Sequence, residues 1–137
     1  MPSGFEVLAK DVGTGGRRPS PHRVFIIDDD RSLLSLLKLI FEDARFSVRT
    51  YLDAQLALAE VTEHKPEVII LDLEMPVMNG RVFYRALRAE GHQMPVLILS
   101  AYGAQAARSE LGAEAAVDKP FEPEELVERA SSLIGQT

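Results

Sequence analysis

EVIILDLEMPVMNG, residues 67–80, decides how the rest of the chain is read. Four consecutive apolar residues, Val68 to Leu71, lead directly into Asp72, and the turn formers Pro76, Asn79 and Gly80 follow. A short unbroken apolar run bounded by turn chemistry is the mark of a strand covered on both faces. Asp72 therefore stands where such a strand leaves the core, with its charge facing a crevice.

Working outward, the same pattern recurs. VFIID at 24–28 is a second buried strand, and Asp30 is placed to cap the helix RSLLSLLKLIFEDA. FSVRTY at 46–51 alternates apolar and polar residues and reads as a weaker strand. Asp53 caps the next helix, AQLALAEVTEH, which Pro66 stops. Beyond the central stretch come a helix over 81–91, a strand PVLILSA, a short helix GAQAARSELG, a short strand AAVDKP and a last helix EPEELVERASSLI. Strands alternating with helices predict an α/β domain with a parallel sheet and right-handed crossovers. The expected architecture is a single doubly wound (βα)5 domain. Its strand order, 2-1-3-4-5, is taken from known doubly wound folds of this size.

With 137 residues and a 46% hydrophobic fraction, the chain suits one domain with one real core. Residues 1–22 read as a flexible tail rich in Gly, Pro and Ser, with FEVLA a short apolar exception to which no role is given. Residues 23–137 form the domain. The absence of cysteine rules out disulfides and thiolate metal sites. No apolar run reaches the roughly 20 residues of a membrane span, and the start lacks a signal-peptide core, so a cytoplasmic protein is expected. The formal net charge is −6, and the residues before Val24 carry +2 against −8 for the remainder. Such an acidic domain is a poor direct binder of nucleic acid, because phosphate backbones reward clustered Lys and Arg.

In open parallel sheets, ligands bind beyond the carboxyl ends of the strands, where strand order reverses. The polar strand ends are Asp28-Asp29-Asp30, Asp72, Ser100 and Asp118-Lys119. The proposed order makes the first and third strands neighbours, so Asp28, Asp29 and Asp72 converge with Ser100 and Lys119 beside them. Two carboxylates about 4 Å apart repel by on the order of 4 kcal/mol at an effective dielectric near 20. One ammonium and one divalent cation would balance three of them, and a small set of hard oxygen ligands suits Mg²⁺. A metal-bound carboxylate facing a phosphate donor is a nucleophile for phosphoryl transfer.

IIDDD, IILDLEMPVMNG, VLILSA and GAEAAVDKPF, in this order and spacing, resemble the receiver domain of response regulators over about residues 23–135. The resemblance implies that Asp72 is the phosphorylated aspartate. It implies Mg²⁺ held by Asp28, Asp29, Asp72 and the backbone carbonyl of Glu74. Ser100 becomes the hydroxyl that swings toward the phosphoryl group, Lys119 its cationic partner, and Lys119–Pro120 a cis peptide bond. The implied donors are a sensor histidine kinase, a histidine phosphotransfer protein or a small acyl phosphate. The implied role is a phosphoacceptor that assists its own phosphorylation and dephosphorylation and is not a turnover enzyme. It would work as a phosphorylation-controlled protein-interaction switch with a downstream protein target and no DNA-binding output domain of its own. A monomer or phosphorylation-dependent dimer is expected. One departure stands out: family members often carry Tyr or Phe three residues before the lysine, and here that residue is Ala116. The usual coupled hydroxyl–aromatic movement has no aromatic to use. Tyr102, two residues past Ser100, lies where family members tune dephosphorylation.

Two other functions fit the residues less well. A doubly wound phosphatase with an aspartyl-phosphate intermediate typically has a second Asp two residues after the nucleophile; here Glu74 stands there, and no substrate-capping insert is present. A nucleotide or flavin carrier would want a Gly-rich loop after the first strand, where this chain has three aspartates. Asp30 is read as a cap alone. His22, His64 and His92 are expected to be exposed and none has metal-ligand spacing. Met75 and Met78 are read as loop packing, and Arg81, Arg85 and Arg88 as a solvated stripe on one helical face.

Overall fold

The computed structural model describes residues 21–75 and 77–135. The tail over residues 1–20, with its FEVLA segment, lies outside the described residues, as does Pro76. Ten elements alternate: β1 (His22–Ile27), α1 (Arg31–Asp43), β2 (Phe46–Tyr51), α2 (Ala54–His64), β3 (Val68–Asp72), α3 (Gly80–Ala89), β4 (Val96–Ser100), α4 (Ala104–Leu111), β5 (Ala115–Asp118) and α5 (Pro123–Leu133). The strands form one parallel sheet in the order β2-β1-β3-β4-β5. β1 begins at His22, inside the span assigned to the tail, a difference of one residue at a strand end.

Alternation along each strand splits the core in two. Val24, Ile26, Val68, Ile70, Leu97, Leu99 and Val117 face α1 and α5, where they meet Leu34, Leu37, Phe41, Leu126 and Ala130. Phe25, Ile27, Ile69, Leu71, Val96, Ile98 and Ala116 face α2, α3 and α4, where they meet Ala57, Val61, Phe83, Leu87 and Ala107. A fully buried Ile, Leu or Phe stabilises the fold by about 1.5–3 kcal/mol relative to exposure, so both layers hold the sheet. Every residue of β3 and β4 is buried, as their unbroken apolar runs require. β2 lies at the sheet edge, which accounts for its polar alternation. Its last residue, Tyr51, is anchored by a hydroxyl that donates to Glu60 Oε1 at 2.6 Å. Burial first, and then this bond to a carboxylate, hold the phenol above its usual pKa.

The helix starts follow the sequence. Asp30 accepts from the Leu33 amide at 3.1 Å and Asp53 from the Gln55 amide at 2.8 Å. Asn79, which the sequence marked as a turn residue, caps α3 by accepting from Val82 N at 3.0 Å. Gly80 is the first residue of that helix because nothing larger fits. A Cβ there would lie 2.5 Å from the Asp72 carbonyl oxygen and 2.8 Å from Leu73 Cα. This close approach presses α3 against the end of β3. Met75 is buried and Met78 packs against the same cluster, as expected of loop packing residues.

Arg85 of α3 is exposed, as a solvated stripe requires, but all three arginines also have acidic partners and Arg88 is largely covered. Arg81 and Arg85 each reach Glu110 of α4 at 3.5 Å. Arg88 sits 4.8 Å from the Tyr84 ring centroid, donates to the His92 carbonyl at 3.0 Å and pairs with Glu114 at 3.2 Å. The next layer element supplies acidic partners that helical periodicity alone does not reveal. His22 is exposed, but His64 and His92 are only half-exposed, each within 4 Å of a neighbouring glutamate.

Candidate functional site

The register of the sheet assembles the site. Ile27 pairs with Leu71, so the residues that follow, Asp28 and Asp72, emerge side by side at the carboxyl ends of β1 and β3. Asp72 pairs with Leu99, and Ser100 with Asp118, which places Ser100 and Lys119 on the other flank. Asp28 is 1% exposed, Asp72 2% and Ser100 0%, the described residues' buried polar side chains. Three such residues at one end of one sheet cost desolvation that folding alone does not require.

Asp28 is held from two sides. The Asp30 amide donates to its Oδ1 at 2.9 Å, and Lys119 Nζ donates to its Oδ2 at 2.9 Å. The same ammonium reaches Asp72 Oδ1 at 3.4 Å, and the Glu74 amide donates to that oxygen at 3.4 Å. Lys119 thus bridges the two buried carboxylates. Burial, joined by repulsion from Asp28, pushes the Asp72 carboxyl up to about 6 despite the ammonium beside it. Burial works against the charge on Lys119, but the Asp28 hydrogen bond and both carboxylates outweigh it and raise its pKa above the usual lysine value. The lysine therefore stays charged across neutral pH.

Asp28, Asp29 and Asp72 complete the arrangement: each residue offers one carboxylate oxygen, all within 4.8 Å of one another. Three carboxylates against one ammonium leave two negative charges. A divalent cation with a preference for hard oxygen ligands fits both the charge and the donor set. The exposure of Asp29 leaves that side open to solvent and to an incoming group.

The sequence-selected positions lie at the carboxyl end of the sheet, where Ser100 is bonded to groups other than Asp72. Its hydroxyl lies 2.7 Å from Glu74 Oε2 and 2.9 Å from the Tyr102 carbonyl, and it accepts from the Tyr102 amide at 3.1 Å. The carboxylate of Glu74 is a neighbour of Ser100 that the sequence did not single out, whereas Tyr102 was marked for its position two past Ser100. Glu74 was chosen only for its carbonyl. The available signal was the adjacency of β3 and β4, which sets a residue two past Asp72 against the end of β4. The Lys119–Pro120 bond is cis, as the resemblance implied.

A family model described as "Response regulator receiver domain" matches residues 24–131. The chain belongs to the response regulator receiver family. Among its relatives, the transcriptional regulatory protein PrrA of Mycobacterium tuberculosis is 38% identical over 115 residues, covering 82% of this chain and 49% of that protein. The transcriptional regulatory protein CpxR of Escherichia coli is 37% identical over 116 residues, with the same coverage of 82% and 49%. This receiver chain thus spans about half the length of the curated relatives it matches. Among solved structures, the chemotaxis protein CheY4 of Vibrio cholerae superposes with a TM-score of 0.77 at 29% identity, covering 83% of this chain and 99% of that one. A response regulator of Chloroflexus aurantiacus gives 0.74 at 32% identity over 82% and 97%. The fold of the chain is that of these solved structures. No helix of the described residues is long and apolar enough to cross a membrane.

Proposed function

We propose that Asp72 accepts a phosphoryl group from a phosphohistidine on a sensor histidine kinase or histidine phosphotransfer protein, in a Mg²⁺-dependent reaction. The observation that carries this reading is the Lys119 bridge between two buried carboxylates, at 2.9 and 3.4 Å, inside a cluster still two charges short of balance. A structural ion pair would balance itself; this one is built to take further positive charge and then a phosphoryl group.

The Asp72 carboxylate oxygen attacks phosphorus as the bond to the donor imidazole nitrogen breaks, and that nitrogen keeps the electron pair. Lys119, already beside Asp72, stays charged and offsets negative charge gathering on the phosphoryl oxygens. Asp28, Asp29, Asp72 and the Glu74 carbonyl are the groups that would hold Mg²⁺, which when bound supplies charge neutralisation for the carboxylates and the phosphoryl oxygens. Ser100, released from its resting partners, donates a hydrogen bond to a phosphoryl oxygen and keeps its proton. The chain acts as a phosphoacceptor rather than a turnover enzyme, and as a switch read by another protein surface. Its acidic character argues against direct DNA contact by this domain.

Incubation with Mg²⁺ and a small acyl phosphate, followed by intact-mass measurement, tests the reading. One added phosphoryl group is expected, lost in Asp72→Ala and on metal chelation. No mass gain, or a gain that persists in Asp72→Ala, refutes it.

A further inference from the structure

β2 is an outer strand of the sheet, paired with β1 alone among the described residues. The Asp28 amide donates to the Tyr51 carbonyl at 3.1 Å, so the backbone of Tyr51, and by alternation that of Arg49, is turned to β1. The backbone groups of Val48 and Thr50 therefore point the other way, to the open edge. An open edge is a template for any extended chain that reaches it, and charged side chains decide which chains do.

A groove of about 540 Å³ lies along this edge, between α1 and α2. Arg31, Ser35 and Lys38 line it from one flank of α1, Arg49 and Thr50 from β2, and Leu52 and Leu56 from the start of α2. Three cations thus gather in a domain whose residues from Val24 onward sum to −8. The acidic residues of the groove are already in use: Asp53 accepts from the Gln55 amide and Glu60 from the Tyr51 hydroxyl. The ion pairs of the cations are weak ones, Lys38 with Glu42 at 3.4 Å and Arg49 with Glu60 at 3.8 Å, with both cations half-exposed. A partner's carboxylate can replace either at little cost. The leucines add an apolar part. With Leu36 and Leu39 of α1, they supply four of the seven large apolar side chains left exposed among the described residues. Exposed apolar surface gathered in one region marks an interaction site better than the same residues scattered singly.

We propose that the β2 edge takes up an extended acidic segment of another protein as an added strand, bonded to the backbone of Val48 and Thr50. Successive side chains of a strand point to opposite faces, so alternating acidic and apolar residues meet Arg31 and Lys38 on the α1 wall and Leu52 and Leu56 on the α2 side. Charge complementarity selects this occupant. A second copy of the chain fits poorly, because two β2 edges set together bring the same cations face to face. An anionic membrane suits the cations and leucines but leaves the strand backbone without partners. The surface does not use Asp72, so it stands or falls independently of the phosphoacceptor reading.

The test uses the full chain, a peptide of alternating glutamate and valine, and the same peptide with lysine in place of glutamate. Saturable binding of the acidic peptide is expected at a Kd below about 1 mM. At about ten times that Kd, the Val48 and Thr50 amides should exchange about tenfold more slowly, while those of Arg49 and Tyr51, already turned to β1, keep their rates. The double variant Arg31→Gln, Lys38→Gln should bind about tenfold more weakly. No saturable binding, equal binding of the lysine peptide, or binding that leaves Val48 and Thr50 exchange unchanged overturns the proposal. Capture of the chain on phosphatidylserine vesicles without peptide binding gives the surface to a membrane, and self-association that protects Val48 and Thr50 gives it to a second copy; either overturns it too. Should the double variant fail to fold, amide exchange in the unaltered chain still decides.

Discussion

On the β1 side of Asp72 the polar groups are unbalanced; on the β4 side they are satisfied. Asp28 and Asp72 share one ammonium, Asp29 adds a third carboxylate, and burial, joined by repulsion from Asp28, forces Asp72 toward protonation. Ser100, equally buried, has its donor and its acceptor both in use. The two halves lie on neighbouring strands and respond to opposite stimuli. The acid half gains from added positive charge, and the hydroxyl half must lose bonds before it can take part. A site with one half under charge stress and the other at rest is suited to switching, because binding relieves one half and uses that gain to unlock the other.

Removing the bridge should separate the halves most. Lys119→Met leaves two buried carboxylates facing each other, and a loss of about 3 kcal/mol in urea unfolding is expected at pH 8 in metal-free buffer. The deficit should shrink below pH 6, as Asp72 takes a proton, and on addition of Mg²⁺. A deficit independent of both would show that the acid half is not under charge stress.

Asp72→Asn should act in the opposite direction. A carboxyl raised from 3.8 to about 6 binds its proton more readily in the folded state than in the unfolded one. Folding stability contributed by this group is therefore lost as pH climbs from about 4 to about 6, and stays lost above. Asp72→Asn should accordingly be more stable than the parent in metal-free buffer at pH 8 by roughly 2–3 kcal/mol, with no difference near pH 4. Thermal unfolding across that range checks it. A variant less stable at pH 8 would place the carboxylate in a balanced pair.

The smallest effect concerns the loop joining the halves. Val77 is 94% exposed and holds φ at 65, a backbone region that β-branched residues rarely enter. Val77→Gly should stabilise the chain by about 0.5–1 kcal/mol, the relief of strain less the entropy cost of glycine. Thermal unfolding checks it, and a Tm that does not rise would show that this loop backbone carries no strain.

Much of this was legible before the fold was seen. Continuous apolar runs identified β1, β3 and β4, and polar alternation marked β2 as weak because an edge strand has water on one side. Asp30 and Asp53 announced helix starts because a short carboxylate before an apolar period has one local use. Asp28, Asp29, Asp72, Ser100 and Lys119 could be grouped because each ends a strand. What failed to show depended on side-chain direction across elements. Arg81 and Arg85 looked solvated until α4 brought Glu110 to them. Ser100 is legible as a strand-end hydroxyl, but its bond to Glu74 shows only when β3 and β4 are side by side.

Strand periodicity written in the chain marks the strands and groups Asp28, Asp29, Asp72, Ser100 and Lys119 at their ends, because parallel topology carries every strand end to one edge. Which of those polar groups bond to one another is visible only in the packed fold. That choice rests on differences of a few tenths of an ångström between competing acceptors, and on which neighbour is charged. Lys119 therefore serves both Asp28 and Asp72, while Ser100, on the adjoining strand, is given to Glu74.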